Sequence, residues 1–544
     1  MGAAGSLKSQ TAGQAIVDAL IRNGVDRIFG IPGVHTYLLF DALYERRDEI
    51  RFIGTRHEQG AAYMAYGYAK STGRIGAYTC VPGPGVLNTT AALCTAYAGN
   101  APVLCVTSEI PSGEIGRGHG ILHELPDQLA TLRLLTKWAG RIDHASQAPA
   151  LVNEAVRQMR SGRQGPAAIE CPWDVLGQAA PVMPLSAAVA DEPPAVDGAA
   201  LERAVLLLAT AEHPVILVGS GANHAGPQVL ELARRLGAPV IAHRSGRGIV
   251  ASDSPYGFDC ASGFDPWTRA DVVVAVGTRM ELPYIRWRHL PAGLKTVRID
   301  IDPREMQRRA TDVALVCDSA AGLSALTAAL RACGVQRPSR EAQFTAHRSA
   351  VRRQVESVQP QVGYLDVIRQ ALPPDGYFVE EICQAGFAAR YAFPVLKPRT
   401  YVSCGYQDNL GFGYMTALGV KAANPDKPVI SISGDGGFLF GVQELATAAQ
   451  HGLGVVAIVF NNRAFGNVLR DQQQSFGGRL IGAELSNPDF VQLAQSFGIT
   501  AHRVASPAEL AALLPQALRE NRPVLFEIPL ERGSEASPWP FIHK

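Results

Sequence analysis

The run Pro428-Val429-Ile430-Ser431-Ile432-Ser433-Gly434-Asp435-Gly436-Gly437 constrains this chain more than any other stretch, because a second apolar run ending in Asn461-Asn462 comes next along the chain. Its first six residues are apolar and β-branched, the pattern of a short strand buried on both faces of a parallel sheet. Gly434, Gly436 and Gly437 permit a tight turn, and Phe438 to Gln450 then has helical periodicity with Gly452 as its stop. Val455 to Phe460 reads as a second buried strand that delivers Asn461 and Asn462 to the same sheet edge. The stretch predicts a βαβ unit with a carboxylate at one strand's end and a carboxamide at its neighbour's. In doubly wound sheets ligands bind at that edge. One Asp, one Asn and a nearby main-chain carbonyl make a half-filled octahedron of oxygens, which suits magnesium carrying a diphosphate. A helix N-terminus beside it offers N–H groups to the same anion. An Asp-Gly pair alone is ordinary turn chemistry; the strand–turn–helix–strand context with the paired Asn sets this one apart.

At 544 residues the chain has room for three or four domains with substantial cores. A formal net charge of +1 with 18% charged residues gives no electrostatic reason to bind nucleic acid or an acidic membrane surface. The nine cysteines are scattered singly with no CxxC pair, so reduced thiols in a cytoplasm are the simplest reading. No apolar stretch approaches the length of a membrane helix. The start, Met1-Gly2-Ala3-Ala4-Gly5-Ser6, lacks the apolar core of a secretory signal, although it fits the loose pattern for N-myristoylation.

Ala179 to Val196 is rich in Ala and Pro without periodicity and reads as an extended linker. Val335 to Gln361 is a charged second connection, partly helical. These cuts leave α/β blocks at 8–178, 197–335 and 361–535, each expected to be a doubly wound parallel sheet. In the first, Asp26 to Gly30 and Ile75 to Cys80 are strand-like; in the second, Pro214 to Val218, Pro239 to Ala242, Asp271 to Gly277 and Thr296 to Ile301 repeat the pattern.

The spacing of Gly434-Asp435-Gly436 and Asn461-Asn462 resembles the diphosphate motif of thiamine diphosphate enzymes. Carried over residue by residue, the resemblance implies magnesium on Asp435, Asn462 and the main-chain carbonyl of Ala464, with Gly434, Gly436, Gly437 and Gly466 around the cofactor. It also demands an activating glutamate on a separate domain. Thr55-Arg56-His57-Glu58-Gln59-Gly60, followed by the small-residue helix Ala61 to Lys70, is similar to the family's segment that supplies it. A Glu in a first helical turn is otherwise favoured by the helix dipole alone. Glu58 would bond the pyrimidine nitrogen and drive removal of the thiazolium proton, and its neighbours Ala61, Ala62, Tyr63 and Ala65 suggest a largely dry carboxyl. Pro32, Gly33, Gly83 and Asn88 match pyrimidine-side loops. Ser403 to Gly413 corresponds to the glycine-rich stretch in which Asp408 clasps the pyrimidine and Leu410 bends the cofactor. The three blocks become pyrimidine-binding, central dinucleotide-type and diphosphate-binding domains of a homodimer or homotetramer, with each cofactor held between chains.

The substrate side is read from Gly118-His119-Gly120-Ile121-Leu122-His123-Glu124-Leu125-Pro126-Asp127-Gln128, similar to guanidino-oxo-acid decarboxylase-like proteins. His119, His123 and Glu124, with His35, are candidates, because histidine titrates where proton relays need it. Asn467 and Asp471 occupy the acceptor-pocket pattern; where biosynthetic synthases have Trp, this chain has Asp471. Over nearly the whole chain the resemblance is to the acetolactate synthase and 2-oxo-acid decarboxylase group. It implies decarboxylation of a 2-oxo acid, ligation of the acyl unit to a second carbonyl compound, or both; the alternatives are decarboxylation without ligation and a non-catalytic paralogue. Gly219-Ser220-Gly221, Arg244-Ser245-Gly246-Arg247-Gly248, Gly277-Thr278-Arg279 and Ile299-Asp300-Ile301-Asp302-Pro303 resemble the domain that binds FAD in some members but keep its flavin signatures only in part, so FAD is possible but not expected. As a bare Gly-x-Gly the loop is a weak NAD signal, and an NAD oxidoreductase leaves Glu58 and 434–464 unexplained.

Overall fold

The computed structural model describes residues 7–544, so the myristoylation pattern at Met1 to Ser6 lies outside the described residues. Three six-stranded parallel sheets dominate it, and the strands of each fall within one expected block. The first runs Arg51–Gly54, Arg27–Gly30, Gly76–Cys80, Val103–Glu109, Ala167–Pro172, Trp138–Arg141. The third runs Tyr401–Val402, Tyr377–Val379, Val429–Gly434, Val455–Asn461, Val524–Pro529, Thr500–Arg503. Numbered in chain order within each sheet, both read 2-1-3-4-6-5. The central sheet, from Gly257–Phe258 through Val240–Ala242, Pro214–Val218, Val272–Val276 and Lys295–Asp300 to Val313–Val316, reads 3-2-1-4-5-6. All three reverse strand order beside strand 1, which opens a crevice at the carboxyl ends of the strands there.

The strands form where apolar runs predict them because both sheet faces are covered by helices, so burial rewards continuous Val, Ile and Leu. Val272–Val276, for instance, is buried at every position.

The chain divides into two compact units. The first comprises the described residues up to Glu192 together with Cys404–Pro425 and Phe440–Leu453; the second comprises Pro193–Ser403, Asp426–Leu439 and Gly454–Lys544. Within the first unit, helix Glu58–Thr72 packs on helix Gly413–Ala423 at backbone distance. A Cβ on Gly67 would lie 2.0 Å from the Thr416 carbonyl, and one on Gly419 would lie 1.9 Å from that of Met64. Any larger residue at either position would push the helices apart.

Two expectations are corrected. The helix expected over Phe438 to Gln450 is broken: one turn, Asp435–Phe438, is followed by a tight turn at Val442–Glu444 and by helix Leu445–His451. The break falls at Gly441 (φ −128°, ψ 16°), where the Met415 side chain fills the space a Cβ would take. The helix does stop at Gly452 in the left-handed conformation. The linker loses its first four residues to a strand, Ala179–Val182, antiparallel to Lys8–Thr11. Ala180 and Val182 bury alternate positions, a period that Pro181 conceals in the sequence. The connection at 335–361 is partly helical, as expected, through helix Glu341–Val355.

Candidate active site

In the second unit, Asp435 and Asn461 stand at the ends of adjacent strands, where Gly434 pairs with Phe460. Asp435 is 2% exposed; its Oδ1 accepts from the Gly436 N–H at 2.9 Å and its Oδ2 from Asn487 Nδ2 at 2.7 Å. Burial, the largest influence, pushes this carboxyl above the ordinary aspartate range, against the pull of those N–H donors. Asn487 also donates to Asn461 Oδ1 at 2.9 Å, while its own buried Oδ1 has no hydrogen-bond partner. A buried carboxylate next to an unpartnered carboxamide oxygen fits a cation with oxygen ligands. Asn462 closes a turn, its Oδ1 accepting from the Ala464 N–H at 3.0 Å. Its Nδ2 donates to Glu535 Oε2 at 2.6 Å, which fixes how the carboxamide is turned. Among the described residues there is no cluster of three or more His, Cys, Asp or Glu side chains suited to a metal. The set anticipated here has a single carboxylate and is not a cluster of that kind.

The glycines serve packing more than expected. A Cβ on Gly436 would strike Phe465 at 2.4 Å, one on Gly437 would lie 3.3 Å from the Glu381 carboxyl, and one on Gly466 would lie 2.9 Å from Asn462 Nδ2. A Cβ on Gly434 would lie 3.1 Å from the Cys383 Cβ. The segment Glu381-Ile382-Cys383-Gln384, after strand Tyr377–Val379, is therefore part of the site, as are Asn487 and Glu535. Sequence reasoning missed all three. The repeat of the 2-1-3-4-6-5 order makes segment 381–384 the counterpart of Ile31-Pro32-Gly33 after strand 1 of the first sheet. Asn467 pairs with Asp471 at 3.2 Å and accepts from Trp539 at 2.6 Å, so Asn467 braces the C-terminal segment while Asp471 stays exposed.

In the first unit, Glu58 is the first residue of its helix, and Asn88 Nδ2 donates to its Oε2 at 3.0 Å. The structure thus brings these two predicted residues together. It does not make Glu58 dry. The carboxyl is only part-buried, because it stands at the open carboxyl edge of the sheet, one turn before the alanine-rich part of the helix begins. Gly33 lets Val81 approach to 2.4 Å of where its Cβ would be. Gly83 (φ 60°) meets the His123 carbonyl in the same way, and its N–H donates to Gln128 Oε1 at 2.9 Å. Gln128, unselected from the sequence, ties this loop to buried Glu170 at 3.0 Å. Pro32 is exposed.

His35 and His123 meet with ring centroids 5.0 Å apart, and Trp173 packs edge-on to His35 at 5.5 Å. Each histidine has a buried Nδ1 without a hydrogen-bond partner. Burial, then the neighbouring His123, holds His35 below the usual histidine range, so it stays neutral at neutral pH. The other two loop candidates are otherwise occupied. Glu124 accepts from the N–H groups of Gly118, Gly120 and Ile121 at 2.9, 2.7 and 2.9 Å, closing its own loop. His119 pairs with Glu114 at 2.8 Å on the surface.

Asp408 adopts the left-handed conformation (φ 45°), and Leu410 is part-buried. Asn409 between them donates to the Tyr63 hydroxyl at 2.5 Å, on the helix that Glu58 begins. In the central sheet, Gly219 and Gly221 meet Gly277 at backbone distance, so these glycines let two loops touch. Arg279 and Arg304 are paired with Glu305 and Asp302.

Models of the thiamine pyrophosphate enzyme family match the chain in three places: the N-terminal TPP binding domain over residues 10–131, the central domain over 201–326 and the C-terminal TPP binding domain over 381–528. The probable 2-ketoarginine decarboxylase of Pseudomonas aeruginosa is 35% identical, over 96% of this chain and 94% of its own length. The probable acetolactate synthase large subunit of Methanocaldococcus jannaschii is 32% identical over 96% and 92%. The acetolactate synthase of Arthrospira platensis is 31% identical over 98% and 96%. With three matched domains in the family's order and full-length relatives, the chain belongs to the thiamine pyrophosphate enzymes, in the acetolactate synthase and 2-oxo-acid decarboxylase group, whose members act on carbon–carbon bonds.

Proposed function

We propose that this chain decarboxylates a 2-oxo acid with thiamine diphosphate and magnesium, and passes the acyl unit to a proton or to a second carbonyl compound. The observation that carries the reading is buried Asp435 beside the unpartnered Asn487 oxygen at the sheet's switch point. Asp435, the Asn462 carboxamide and the Ala464 carbonyl are the residues that would hold the cation. When bound, the cofactor supplies an electron sink for the departing carboxylate. The chain does the rest. Glu58 shares a proton with the cofactor's ring nitrogen, Asn88 orients Glu58, and the glycine-bearing loops at 33 and 83 bring the main chain close.

Decarboxylation of a guanidino-2-oxo acid, without ligation, is the second reading. It is favoured by the 35% identical relative, named as a probable 2-ketoarginine decarboxylase, and by the carboxylate of Asp471 in place of an indole. A panel of 2-oxo acids, including pyruvate and the guanidino compound, tests both through carbon dioxide release and product analysis. Release from neither class of acid would end the proposal. Release from the guanidino acid alone, with the aldehyde as product, would establish the second reading.

Among the described residues no helix is long and apolar enough to cross a membrane. We also expect at least a homodimer, with Glu58 of one chain serving the diphosphate domain of another. The Asn409–Tyr63 hydrogen bond favours the competing arrangement, in which segment 404–411 serves the Glu58 helix of its own chain. Mixing Glu58→Gln protein with Asp435→Ala protein decides between them. After subunit exchange, half the dimers are hybrids with one intact site each, so activity should recover to about a quarter of wild type. No recovery, with exchange verified by mass, would assign the site to a single chain.

A further inference from the structure

Glu444 sits in the tight turn Val442–Glu444, and its side chain is completely buried, yet nothing in the site described above uses it. A carboxylate removed from water needs strong donors, and these come from the segment just ahead of the Glu58 helix. The Arg56 N–H donates to both oxygens at 3.1 and 3.2 Å, and the His57 N–H donates to Oε1 at 2.9 Å. The Thr447 hydroxyl donates to Oε2 at 2.5 Å. Gly60 makes the approach possible: a Cβ there would stand 2.5 Å from Oε1 and 2.7 Å from the carboxyl carbon. The following helix adds two holds on the same stretch. Arg56 donates to Gln450 Oε1 at 2.6 Å, and His451 Nε2 lies 3.2 Å from the Gly54 carbonyl.

His57 is the N-cap of the Glu58 helix, with φ −149° and ψ 145°. Its backbone, together with that of Arg56, therefore sets where the next residue's carboxyl stands. We propose that Glu444 is a positioning residue for Glu58, clamping the main chain at 56 and 57 so that the Glu58 carboxyl is held at the place of proton transfer. The clamp rests on the role given to Glu58 under the proposed function. Its logic is geometric: the charge-assisted bonds are directional and dry, and a displacement near 1 Å is enough to slow a positioned reaction by about 100-fold.

The test compares holoenzymes of wild type, Glu444→Gln, Glu444→Ala, Gly60→Ala and the double variant Gly60→Ala/Glu444→Ala. Hydrogen–deuterium exchange at the cofactor's thiazolium carbon is followed at saturating thiamine diphosphate and magnesium, alongside cofactor affinity and melting temperature. Exchange should fall in the order wild type, Gln, Ala, with Ala slower by about 10- to 100-fold and cofactor affinity changed by less than about threefold. Gly60→Ala should be damaging alone but add little to Glu444→Ala, because the carboxylate it collides with is gone; that non-additivity is the mark of contact. Glu444→Gln is isosteric, and it carries the comparison should Ala fail to fold. Wild-type exchange rates in the Gln variant, or additive effects of the 60 and 444 substitutions, would overturn the clamp. Absence of exchange in wild type would instead overturn the proposed function.

Discussion

Asp435→Ala abolishes magnesium-dependent binding of thiamine diphosphate. The physical reason is that the substitution removes the one carboxylate expected to touch the cation, leaving an amide oxygen and a main-chain carbonyl to hold a strongly hydrated ion. Loss of an outer partner of a metal ligand costs about 10- to 100-fold in affinity, so loss of the ligand itself should exceed 100-fold. Asn487→Ala removes the 2.7 Å donor to Asp435 and should fall within the smaller range. Titration of cofactor binding by fluorescence, with and without magnesium, checks both. Wild-type affinity in the Asp435→Ala protein would remove the basis for placing a cation at this sheet edge.

Glu58→Gln slows proton removal at the thiazolium carbon by roughly two to four powers of ten, the range for a positioned acid–base group. Gln keeps the length of the side chain and can still accept from Asn88, so the 3.0 Å contact is preserved in shape while the shareable proton is lost. The partial exposure of Glu58 shifts the weight of this argument. The expected effect rests on geometry and on the bond to the ring nitrogen. Cofactor affinity should change far less, because the Asp435 anchor belongs to a different part of the chain. Equal exchange in wild type and Glu58→Gln, both saturated, would reduce Glu58 to a helix-start residue favoured by the dipole.

Particular elements show why some of this was legible beforehand. Strand Pro214–Val218 has the predicted bounds, and Val455–Asn461 misses them by one residue, because a strand buried on both faces leaves a continuous apolar run. Glu58, Asn88, Asp435 and Asn462 could be singled out as candidates because each sits within a few residues of a glycine turn or helix start, where local spacing constrains the direction of the side chain. Glu124 shows the opposite case. Its type and loop suggest substrate contact, while three backbone N–H groups of its own loop hold the carboxylate, and their positive-φ glycines at 118 and 120 look the same in a sequence whether they serve a ligand or a turn. The break at Gly441 was hidden because apolar periodicity runs through it undisturbed.

By itself, the sequence determined what depends on short-range order: three α/β blocks, the strands that build their sheets, the carboxylate and carboxamides at two adjacent strand ends, and a glutamate at a helix start. Tertiary structure alone decided what arrives from far along the chain. Asn487 and Glu535 reach the 435–462 unit from later segments, Glu444 reaches back to Arg56 and His57, and the histidines at 35 and 123 meet at 5.0 Å. None of these carries a local signature, because a long-range hydrogen bond asks only for the right group at the end of the right loop. Which loops share an edge is set by strand order, and strand order is fixed by how all the helices and sheets bury their apolar faces together.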